Sequence, residues 1–117
     1  YDPTSHYRAS AVIDFFAEHK LTIDFLRLLN QHQVGLLRDQ FDALDCDSKV
    51  ISRADVPLES LGGFLALKTR AAPRIQKALF ARDIWTDQRD GYLRMGPAPY
   101  LSDSQLNDAI IALSETL

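Results

Sequence analysis

Asp90-Gly91 stands between two strand-like runs, Ile84-Trp85-Thr86-Asp87 and Tyr92-Leu93-Arg94-Met95, and constrains the fold more than any other feature of the chain. Asp-Gly between such runs is a strong signal for a tight β-hairpin, which makes the two runs antiparallel neighbours. Gly96-Pro97-Ala98-Pro99-Tyr100 then stops the second strand, because two prolines cannot continue a hydrogen-bonded ladder. Alternation along the strands places Asp87 with Arg89 on one face. It also sets Tyr92, Arg94 and Gly96 on the face opposite Leu93 and Met95.

The segments around the hairpin are mostly helical. Residues 5–19 carry apolar groups at Ala9, Val12, Ile13, Phe15, Phe16 and Ala17, a helical spacing that Thr4 or Ser5 can cap after Pro3. Thr22 opens a longer helix with Leu26, Leu29, Gln33, Leu36, Leu37 and Phe41 along one face. It is expected to run to about Leu44, where Asp45, Asp47 and Ser48 end it. Residues 45–62 read as irregular, with at most a short strand at Lys49–Ser52. Gly62-Gly63 introduces the apolar run Phe64-Leu65-Ala66-Leu67, which predicts a buried strand. Ala71 to Arg82 is an amphipathic helix with Pro73 in its first turn. Ser102 caps a last helix, with Gln105 at the reciprocal capping-box position and Leu106, Ala109, Ile110 and Leu113 as its stripe. The expected architecture is α+β: a small antiparallel sheet of three to four strands, helices packed on one face, and two helices preceding it. The helical part spans 1–44 and the α+β part 49–117, within a single domain 1–117.

Composition limits the function classes. The chain has 117 residues, is 46% hydrophobic and 25% charged, and is therefore globular rather than disordered. No apolar run reaches the roughly 20 residues needed to cross a bilayer, so no membrane partner is expected. Cys46 is the sole cysteine and cannot form an internal disulfide, which favours a reducing, cytoplasmic setting. The net charge of −3 divides unevenly: residues 1–60 carry 6 bases and 10 acids, whereas residues 61–101 carry 7 bases and 3 acids. A nucleic-acid binder shows a strong positive balance with clustered Lys and Arg, and none is expected here. An arginine-rich centre fits recognition of carboxylate or phosphate by the planar guanidinium.

Most candidate chemistry fails on spacing. His6, His19 and His32 stand 13 residues apart with no partner at metal-ligand spacing. Cys46 lies between Asp45 and Asp47, which raise a thiol pKa instead of activating the sulfur. Gly62-Gly63 enters a strand and not a helix, the wrong order for a phosphate-cradling loop. Asp39, Asp42, Asp45 and Asp47 lack the central glycine and closing glutamate of a calcium loop. What remains is Arg94, an arginine in mid-strand before a rigid turn. It reads either as a ligand-binding group or as half of a cross-strand ion pair with Asp87.

The run Gly63-Phe64-Leu65-Ala66-Leu67, the amphipathic helix, Asp87-x-Arg89, Leu93-Arg94-x-Gly96-x-Ala98-Pro99-Tyr100 and the capped last helix together resemble the C-terminal small domain of kynureninase-like enzymes. These belong to the class V aminotransferase group of fold type I pyridoxal-phosphate (PLP) enzymes. The resemblance covers nearly the whole chain and is specific at residues 84–100. It implies that the chain is cut from a longer one. In that parent, a PLP-dependent hydrolase, lyase or aminotransferase acting on an amino acid, Arg94 binds the substrate α-carboxylate. Asp87, Arg89, Pro99 and Tyr100 are supporting residues. It implies further that PLP belongs to a large domain of the same chain, that the intact enzyme is a homodimer, and that this fragment is itself inactive and binds no cofactor. The alternative is a free-standing α+β module that binds a small carboxylate ligand or a protein partner. A weaker one is a purely structural dimerisation module with the helix at 22–44 as its contact.

Overall fold

The computed structural model describes residues 1–117. Its elements run α1 (Thr4–Glu18), α2 (Ile23–Ala43), β1 (Ser52–Arg53), a 3-10 turn (Leu58–Ser60), β2 (Leu65–Lys68), α3 (Ala72–Phe80), β3 (Asp87–Arg89), β4 (Tyr92–Met95) and α4 (Asp103–Thr116). The four strands form one antiparallel sheet in the order β1-β2-β4-β3. The fold is α+β, as the alternation of patterns predicts, with α2, α3 and α4 against one sheet face.

Asp90 and Gly91 both take positive φ, 51° and 81°, which is the backbone a two-residue hairpin turn with native twist requires. The resulting register sets Asp87 opposite Arg94, Gln88 opposite Leu93 and Arg89 opposite Tyr92. β4 pairs on its other side with β2, Leu67 opposite Leu93 and Leu65 opposite Met95. β2 and β3 therefore flank β4, with α3 as the crossover between them. The four side chains Leu65, Leu67, Leu93 and Met95 are buried and meet Ile75, Leu79, Leu106, Ile110 and Leu113 from α3 and α4. Leu37, Phe41 and Ile51 close the same core.

The caps follow local chemistry. Thr22 Oγ1 accepts from the Phe25 amide, and Ser102 forms the reciprocal capping box with Gln105. α1 differs from expectation: Pro3 precedes it, and neither Thr4 nor Ser5 caps it. The Asp2 carboxylate accepts from the Thr4 amide at 3.0 Å and the Thr4 hydroxyl at 2.6 Å, and these bonds hold its pKa below the ordinary carboxylate value. Two strands are shorter and later than the patterns predict. β1 is Ser52–Arg53, not Lys49–Ser52, and β3 begins at Asp87, not Ile84. The cause at β3 is the end of α3. Ile84 N–H bonds Leu79 O and Asp83 N–H bonds Phe80 O, with Asp83 at φ 60°. That left-handed helix stop uses up the residues that pattern alone assigns to a strand.

Arg53 reaches from β1 to α2, with Nε 2.7 Å and Nη2 2.6 Å from the two oxygens of Asp42. The guanidinium hydrogen bonds hold the Asp42 carboxyl below its usual 3.8. A depressed folded pKa means that the pair's contribution is complete above the ordinary carboxylate range and is lost as pH falls through the lowered value. The stability difference between wild type and Asp42→Asn is thus expected to be constant near neutrality, to shrink once pH falls below about 4, and to be lost as pH falls through the lowered value, in urea titrations.

α1 stands apart from this frame. None of its residues is buried and no other element packs along it, although Tyr7, Val12, Ile13, Phe15 and Phe16 are 40–73% exposed apolar groups. The whole chain exposes 8192 Å². A compact monomer of this mass exposes about 6,400 Å². The radius of gyration, 16.4 Å, likewise exceeds the roughly 13 Å expected for this length.

Candidate functional site

The sheet face away from the helices carries Ala66, Lys68, Tyr92, Arg94, Asp87 and Arg89, in the register given above. Arg94 lies at its centre, on the middle strand β4, between Ala66 and Asp87. Its side chain is 31% exposed, and an Nη of its guanidinium pairs with Asp87 Oδ2. The Phe64 ring lies under the guanidinium, with 5.4 Å from the central carbon to the ring centroid. Arg94 Nε is buried and has no hydrogen-bond partner in the protein. The sheet, Phe64 and Asp87 therefore fix the guanidinium, which keeps part of its surface open to solvent. A planar guanidinium held in this way presents a directional donor to a carboxylate, which a mobile lysine would not.

The structure brings Asp87 to Arg94, with Arg89 on the same sheet face and Pro99 and Tyr100 in the turn that follows β4. Arg89 points along the same face yet contacts Asp90 at 3.6 Å, both groups largely exposed. An exposed pair of that length contributes almost nothing. Pro99 and Tyr100 are exposed and form the central pair of the turn after Arg94, which Leu101 N–H closes on Ala98 O at 3.0 Å; Tyr100 also borders a cleft on the helix side of the sheet. A further residue that holds this turn is Gln33 of α2. Only 2% exposed, it donates from Nε2 to Ala98 O at 2.9 Å and to Leu101 O at 3.3 Å. Its signal was present in the sequence as a single polar residue within the apolar stripe of that helix. Such a position is occupied by glutamine only where a partner satisfies the amide.

The remaining candidates are not assembled into a site. His32 Nε2 lies 2.8 Å from Asp103, tying α2 to the start of α4 at the surface. The Cys46 thiol pKa is raised, first by burial and then by Asp45, so burial outweighs the flanking charge that the sequence emphasises. Lys20, Lys49, Lys68 and Lys77 are all exposed, and none lines either of the two main clefts. These lysines do not fit a PLP site, and no step through that cofactor is derived from this chain. No helix is long and apolar enough to cross a membrane. No protein-family model, curated protein or solved structure matches the chain.

Proposed function

We propose that this chain is the C-terminal small domain of a longer, kynureninase-like PLP-dependent enzyme, and that Arg94 binds the α-carboxylate of its amino-acid substrate. The reading rests on Arg94: a mid-sheet guanidinium on the open face, its side chain 31% exposed and immobilised by Phe64 and Asp87. Immobilised donors lower the ordering cost of binding, so a carboxylate meeting them is oriented as well as held. The extra exposed surface supports the same reading. An isolated 15-residue helix is marginal in water, and α1, with its aromatic residues uncovered, needs a body to pack on. A large domain of the same polypeptide, with a second copy in the intact homodimer, supplies that body in this proposal. PLP, held by that domain, would supply the electron sink for carbon–carbon or carbon–sulfur cleavage, or for amino transfer, on the amino acid. This chain contributes binding and orientation, in a reducing, cytoplasmic setting.

The test is the product of the complete gene. Purified, it is expected to contain about one PLP per chain and to change its visible absorption when an α-amino acid is added. A gene encoding only these residues, or a longer product without PLP, overturns the proposal.

A further inference from the structure

A second feature lies on the other side of the sheet from Arg94 and is independent of the proposal above. Between the Ile84–Thr86 segment, the Gly96–Leu101 turn and α4 is a cleft of about 470 Å³, a size within the range of small-molecule sites. Met95, Leu106 and Ile84 make its floor apolar. Met95 alternates with Arg94 along β4, so the two cannot serve one ligand.

The chemistry of the lining is one-sided. Asp83 and Asp108 border the cleft, and neither carboxylate makes a hydrogen bond or ion pair within the protein. The sole cation in the lining, Arg82, is engaged by Glu115. Two carboxylates are therefore uncompensated at the cleft. Trp85 and Tyr100 stand in its lining at 78% and 86% exposure. The Trp85 indole packs edge-to-face with Phe80 at a centroid distance of 5.1 Å. The left-handed stop of α3 at Asp83 (φ 60°) carries Asp83, Trp85 and Thr86 to this position together.

Aromatic side chains and free carboxylates over an apolar floor attract the same species. We propose that this cleft binds a small organic cation with an apolar body, such as an aromatic primary amine. The ammonium is taken by the carboxylates and the π faces and the hydrocarbon body by the floor. An anion of the same shape meets two like charges, and a neutral analogue leaves the carboxylates unused.

The chain carries its own reporters, because Trp85 is its only tryptophan and Met95 its only methionine. Titration with 2-phenylethylamine is expected to change Trp85 emission saturably and to shift the Met95 methyl resonance, with 2-phenylethanol and 3-phenylpropionate binding at least about tenfold more weakly. The double variant Asp83→Asn/Asp108→Asn, whose exposed positions leave the core intact, is expected to lose at least about fivefold in amine affinity, and added salt to weaken the wild type in the same direction. Unfolding midpoints confirm that the variant is folded. Any of three results overturns the proposal: no saturable response of both reporters to the amine, equal binding of amine and carboxylate probes, or undiminished affinity in the double variant.

Discussion

In the longer enzyme proposed above, replacing Arg94 with alanine is expected to cost about 2–4 kcal/mol in kcat/KM, or roughly 30- to 900-fold, the scale for losing a charge-assisted carboxylate contact. The prediction separates binding from folding because Arg94 has two kinds of contact. Its pairing with Asp87 is partly solvated, the aspartate side chain being 63% exposed, and such pairs contribute about 0–1 kcal/mol. The unfolding midpoint of Arg94→Ala should therefore move little while turnover collapses. Arg94→Lys keeps the charge but not the fork of donors, and is expected to recover only a small part of the loss. Asp87→Asn should leave more activity than either, since Asp87 positions the guanidinium without touching substrate. Unchanged kinetics in Arg94→Ala would remove Arg94 from the substrate site.

The second large effect concerns stability. Leu93→Ala should destabilise the domain by about 2–5 kcal/mol, measured by urea unfolding. Leu93 is fully buried on the central strand, opposite Leu67 on one side and Gln88 on the other. The neighbouring strands and the helices above it cannot collapse into the space left by its side chain. A domain of this size holds only about 5–15 kcal/mol in total, and here the core is a single cluster of 14 buried residues. Ile111→Ala, on the exposed side of α4 at 54% exposure, is the matched control and should cost less than about 0.5 kcal/mol. Equal effects for the two would mean that β4 is not the centre of the sheet.

These predictions differ in how far the sequence alone could have led to them. The hairpin was legible because its determinants are adjacent: Asp90-Gly91 supplies the positive-φ turn, and alternation then assigns Leu93 and Arg94 to opposite faces. The Thr22 and Ser102 caps were legible for the same reason. The stop of α3 at Asp83 was not, because a left-handed residue that is not glycine carries no compositional mark. That omission moved the start of β3 and hid the cleft beside it. β1, two residues long, exists only because Ser52 and Arg53 meet Lys68 and Leu67, a pairing no local pattern encodes.

The site shows the same division. Arg94 was identifiable as a mid-strand arginine, and its Asp87 neighbour followed from hairpin register. The Phe64 ring beneath it and the Gln33 anchor behind its turn come from elements 30 and 61 residues away. Pro99 and Tyr100 form the turn that their composition marks, closed by Leu101 N–H on Ala98 O. The apolar spacing of α1 predicted a helix correctly but implied a buried face. The structure leaves that face uncovered, because periodicity specifies which side of a helix seeks a partner and not whether one is within the same domain.

By itself, then, the chain's order of residues determined element type, turn chemistry and the side of the sheet on which each hairpin residue lies, all of which depend on interactions within a few residues. Only the tertiary structure decided the strand order β1-β2-β4-β3, the bracing of Arg94, the exposure of α1 and the acidic aromatic cleft. Each of these depends on contacts between distant segments, whose free energy is set by shape and burial in the assembled core rather than by any local preference.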